Sequence, residues 1–100
     1  MYRGTTPTIT LTAKGLSELT IRSIYLTIKQ ANTVIEKTLS DMTIDGDSIK
    51  VSLSQLETLS LTAGSGVLLQ LRVLAQNSTA YATNVLKIPV EGILKDGEIT

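Results

Sequence analysis

Residues 67–75 read Val-Leu-Leu-Gln-Leu-Arg-Val-Leu-Ala, and this stretch constrains the chain more than any other. Val67, Leu69, Leu71, Val73 and Ala75 recur every second position, while Gln70 and Arg72 fall between them. A period of two puts alternate side chains on opposite faces of a strand, so these five residues predict one core-facing row. The same period appears at Ile9, Leu11 and Ala13, with Thr8, Thr10 and Thr12 on the other face. It returns at Ile24, Leu26 and Ile28, with Ser23, Tyr25, Thr27 and Lys29 outward, and at Ile49, Val51 and Leu53. Residues 34–39 read as a hairpin partner of the second strand across a turn at Ala31-Asn32-Thr33.

Turn chemistry separates these segments. Asp45-Gly46 is a hairpin signal, because both residues tolerate the positive φ of a type I′ turn. Ser54 and Glu57 have capping-box spacing, which predicts one helical turn between two strands. A second short turn is expected around Leu16 to Leu19. Residues 63–66, Ala-Gly-Ser-Gly, form a loop, and Asn77-Ser78 a tight turn. Residues 79–90 are expected as one long final strand with Ala80, Ala82, Leu86, Ile88 and Val90 inward, a bulge at Asn84, and Pro89 at an edge or strand end.

Six or seven short strands, one helical turn and 100 residues predict an all-β, antiparallel two-sheet sandwich of immunoglobulin-like architecture. The cysteine pair and tryptophan of antibody domains are missing, since the chain has neither residue type. Residues 7–100 are expected to form a single sandwich domain. Residues 1–6 are small and polar and precede Pro7, so they are expected as a flexible arm. With hydrophobic residues at 42%, the chain has enough apolar side chains for a core that must be aliphatic.

Chemistry is sparse. Without His or Cys, the usual general base, thiolate nucleophile and zinc ligands are missing, and the carboxylates stand singly or in turns. We therefore expect no enzyme, no catalytic or metal-binding residues and no cofactor. Asp41, Asp45 and Asp47 could offer oxygens to Ca²⁺, but their spacing matches hairpin turns better. Asn77-Ser78-Thr79 has the glycosylation sequon, and turn chemistry explains it equally well. Gly64-Ser65-Gly66 lacks the Lys-Ser/Thr continuation of a phosphate loop.

Nine basic and nine acidic residues cancel and form no runs, so nucleic acid is not expected as a partner. No window approaches the ~20 apolar residues of a membrane span, and the opening residues lack the apolar stretch of a signal peptide; a soluble protein is expected. Protein partners remain. The outward row Ser23, Tyr25, Thr27 and Lys29 is either a solvated sheet face or a contact surface anchored on Tyr25. Tyr2 and Arg3, in the arm, are the other candidate contacts, and the exposed edges of an open sandwich offer strand addition.

The opening Tyr2-Arg3-Gly4-Thr5-Thr6-Pro7-Thr8 resembles that of small uncharacterised proteins of phages and prophages of Gram-positive bacteria, encoded among virion structural genes. Residues 51–58, Val-Ser-Leu-Ser-Gln-Leu-Glu-Thr, and 69–73, Leu-Gln-Leu-Arg-Val, extend the resemblance along the chain. This chain departs at Ile9-Thr10, where relatives often have a His or aromatic pair. The resemblance implies a head-, neck- or tail-associated component, present in the host cytoplasm during assembly and then in the virion, and it carries no activity or site residues. The partners expected are other virion subunits or the chain itself. The alternatives are a bacterial immunoglobulin-like adhesion or glycan-binding module, and an inhibitor of a host protein.

Overall fold

The computed structural model describes all residues, 1–100. Eight strands form two antiparallel sheets: β1 Thr8–Thr12, β2 Ile21–Gln30, β3 Thr33–Thr38, β4 Met42–Asp45, β5 Ser48–Ser52, β6 Gly66–Ala75, β7 Ala80–Ala82 and β8 Leu86–Pro89. One α-helix, α1 Gln55–Leu59, and two 3₁₀ turns, Leu16–Glu18 and Leu39–Asp41, complete it. No helix is long and apolar enough to cross a membrane.

The small sheet has the order β1-β5-β4, and the large one β3-β2-β6 followed by β7 and β8, both paired to the same edge of β6. With β1 as strand B, this is B-E-D facing C′-C-F-G, the immunoglobulin-type arrangement. The inner faces meet in an aliphatic core. Ile24, Leu26 and Ile28 of β2, Ile49 and Val51 of β5 with Leu53 just beyond it, and the five alternate residues of β6 are all buried. Alternation alone located these rows, because a half-buried strand must send every second side chain inward.

The final strand corrects the expectation of one continuous ladder. From Leu69 to Arg72 is three steps along β6, but the matching partners Leu86 and Ala82 lie four steps apart. The extra residue falls at 83–85, where the bulge at Asn84 was expected. An inserted residue reverses which side chains face inward. Tyr81 therefore stands opposite buried Val73, while Ala80 and Ala82 pair with Leu74 and Arg72 on the outer face. Ala80, Ala82 and Leu86 are exposed, and only Ile88 and Val90 of the expected inner row are covered.

The expectation of a free arm is also corrected. Residues 1–3 run parallel to the chain just after β8: Met1 N donates to Pro89 O at 2.8 Å, Arg3 N to Glu91 O at 3.0 Å, and Glu91 N to Met1 O at 2.7 Å. The Arg3 guanidinium donates to Leu61 O at 2.6 Å and Leu59 O at 2.9 Å, and so caps carbonyls at the C-terminal end of α1. Thr58 is fully buried, and its hydroxyl donates to Thr5 O at 2.9 Å and accepts from Thr5 N at 3.1 Å. At Gly4, with φ +70°, a Cβ would come within 2.9 Å of Ile93 Cδ1 and 3.2 Å of Leu59 Cδ2. Polarity in this segment serves hydrogen bonds to the domain's own backbone.

Buried polar groups hold other parts of the frame. Gln30 Nε2 donates to Thr62 O and Ser65 O, and Gln30 Oε1 accepts from Thr62 N, so one side chain closes the loop before β6. Lys37, in register with core residue Leu26, faces inward at the sandwich margin, with its ammonium 2.7 Å from Glu57 Oε2. A cation turned inward requires such a partner.

Candidate interaction face

The outer face of the large sheet is built by the residues that alternate with the core rows. Across it, Tyr25 lies between Thr38 of β3 and Arg72 of β6, and Arg72 in turn lies beside Ala82 of β7. The next row inverts the polarity: Ser23 of β2 pairs with Leu74, and Leu74 with Ala80. On the other side of Tyr25, Thr27 lies between Glu36 and Gln70. A shallow depression of about 440 Å³ opens here, lined by Ser23, Tyr25, Thr27, Glu36, Arg72 and Leu74 among others. Tyr25 is 44% exposed, and neither Arg72 nor Glu36 belongs to an ion pair. The alternation that buries Leu26 and Leu71 thus obliges Tyr25 and Arg72 to stand together outside.

The three candidate contact residues do not form one site. Tyr2 is 55% exposed and lies beside Glu91, just beyond Pro89, the partner of Gly66 at the start of β6. Tyr25 lies opposite Arg72, six residues further along, a separation of roughly 20 Å at strand rise. Arg3 is turned inward, with its guanidinium on Leu59 and Leu61 carbonyls and 3.6 Å from Asp96.

The acidic turn residues have structural partners. Asp47 Oδ1 accepts from Ser17 N at 2.8 Å, and Asp41 Oδ2 accepts from Thr38 N at 2.9 Å. These backbone hydrogen bonds hold both carboxyls below their ordinary pKa, since the charged form accepts them best. No three Asp or Glu side chains converge on one point. Ser54 and Glu57 make the reciprocal capping box, Glu57 N to Ser54 Oγ at 3.1 Å and Ser54 N to Glu57 Oε1 at 2.9 Å. Asn77 Oδ1 accepts from Thr79 N at 3.0 Å, an Asx turn.

Comparison with family models, with curated proteins and with solved structures returns no match. The geometry of the chain itself therefore carries the functional argument. A second opening, of about 530 Å³, lies at the end of the sandwich between the Leu16–Glu18 turn and β7, and Tyr81 lines it. Sequence reasoning missed this place, because the inserted residue at 83–85 is what turns Tyr81 toward Val73. It also missed Thr58, whose polarity gave no sign of burial, and Gln30, where the available signal was its place two residues after Ile28 on the inward row.

Proposed function

We propose that this chain is a non-enzymatic assembly subunit of a phage or prophage particle, made in the bacterial host and carried into the virion. On this reading it acts through protein–protein contact, and its contact surface is the outer face of the large sheet. The observation that carries it is the pairing of Tyr25 with Arg72 beside Leu74, Ala80 and Ala82 around an open depression. Tyr and Arg are enriched at interfaces and among the residues that dominate binding energy, since each joins a wide apolar surface to a polar end. Small neighbours on one side of the pair leave room for a partner's side chains. The arm contributes less to this reading than its sequence suggests, because Arg3 is engaged within the domain.

The test is incorporation. Particles from an induced lysogen carrying a tagged copy would be purified and probed for the chain. Tyr25→Ala should leave thermal unfolding within a few degrees of the parent, because the side chain stands outside the core, and should reduce the chain's share of purified particles. A chain that never co-purifies with particles refutes the assembly role. Normal incorporation of Tyr25→Ala refutes this face as the contact.

A further inference from the structure

An immunoglobulin-type small sheet has a strand A hydrogen-bonded beside strand B. Here the opening residues run instead beside the chain after β8, and β1 is left as the terminal strand of the small sheet. Its ladder shows which groups face outward. Pro7 O accepts from Leu53 N and Ala13 N donates to Asp47 O, so the odd-numbered residues of β1 are those bonded to β5. The N–H and C=O groups of Thr8, Thr10 and Thr12 then point away from the sheet. None of them takes part in a turn or loop hydrogen bond.

Open edges are normally blunted by charge, proline, shortness or a covering segment. β3 carries Glu36 and Lys37, β4 ends in Asp45, β7 has three residues, and the end of β8 is covered by residues 1–3. β1, Thr-Ile-Thr-Leu-Thr, has five residues and none of these devices, and the chain's zero net charge adds no repulsion between copies.

We propose that β1 is a strand-addition site for a second copy of this chain, pairing antiparallel with the same strand about a two-fold axis through Thr10. The sequence is self-complementary in that register. Thr10 meets Thr10 and Thr8 meets Thr12, and these are the residues whose backbone groups point outward, so the pairing forms up to about six N–H···O bonds. Ile9 falls opposite Leu11 on the core side. Lys14 falls opposite Thr6, so no like charges meet. The result is a continuous six-stranded sheet across two copies and a closed dimer. This inference is independent of the particle assignment, because its test uses the purified chain alone.

Sedimentation equilibrium on the full chain, up to about 1 mM where millimolar affinities register, should show the mass rising from 10.7 kDa toward twice that value. Thr10→Lys and Thr10→Glu each place like charges directly opposite across the axis and should each reduce association, whereas an equimolar mixture of the two should restore it. Thr10→Pro removes an N–H that the small sheet does not use and should weaken association about 25-fold, at about fivefold for each of two lost bonds. A parent chain that stays monomeric across the range overturns the proposal. So does undiminished association in both Thr10→Lys and Thr10→Glu, which would show that any dimer uses another surface.

Discussion

Replacing Thr58 with Val tests whether the opening segment is held as the structure shows. Val keeps the branched shape but puts a methyl where the hydroxyl stood, so at this fully buried position the change acts chiefly through the lost polar group. What disappears is the pair of bonds with Thr5, 2.9 Å to its carbonyl and 3.1 Å from its N–H, together with the longer approaches to Ser54 O at 3.3 Å and Gln55 O at 3.2 Å. Each such bond contributes about 0.5–1.5 kcal/mol net, with a further cost if the stranded groups stay dry. Thr5 is itself exposed, so water can reach its freed groups and the total settles at about 1–2 kcal/mol. For a domain of this length that lowers the melting temperature by roughly 4–15 °C. Urea unfolding gives the free energy, and amide exchange gives the location: the Thr5 and Arg3 N–H groups should exchange faster, while those of β6 keep their order. Arg3→Ala, which frees the same segment from α1, should combine with Thr58→Val for less than the sum of the two effects, because both side chains hold one piece of chain. A Thr58→Val protein as stable as the parent, with unchanged exchange at Thr5, would refute the reasoning and restore the free arm expected from sequence.

Leu71→Ala should cost about 2–5 kcal/mol, since Leu71 is wholly buried mid-strand; Thr27→Ala, on the outer face, should cost less than about 1 kcal/mol, and urea midpoints in the reverse order would contradict the assigned faces. Ala31 sits in the hairpin between β2 and β3 at φ +50°, a region that strains any residue with a Cβ. Ala31→Gly should therefore stabilise the protein by about 0.5–1 kcal/mol net of glycine's extra freedom when unfolded, and a lower melting temperature would count against that turn geometry. Burial pushes the Glu57 carboxyl up, but the hydrogen bonds from Lys37 and Ser54 N outweigh it and leave its pKa below the ordinary 4.5. A depressed folded-state value means the stabilisation is complete above the ordinary value and is lost as pH falls through the folded one. Glu57→Gln should thus be less stable at neutral pH and show a shallower loss in acid by urea unfolding; an unchanged acid limb would exclude the Lys37 pair as its source.

Period two and turn chemistry are local properties, so the core strands up to β6, their inward faces and the sandwich class were legible along the chain. Leu26, Ile49 and Leu71 could be placed inside from their neighbours along the chain, and the capping box at Ser54 and Glu57 from two residues three apart. The outer row holding Tyr25 followed from the same alternation, although its neighbours Arg72, Leu74 and Ala80 required the strand pairing. The rest depends on which distant segments meet. A one-residue insertion at 83–85 shows in no local pattern, yet it reverses the inward face from Ala80 and Ala82 to Tyr81. A threonine that clasps residue 5 from residue 58, and an arginine that caps a helix 56 residues away, look like any exposed polar side chain in one dimension. Hydrophobic burial leaves a periodic trace because each strand must alternate. A buried hydrogen bond leaves none, since its partner is chosen only when distant segments meet.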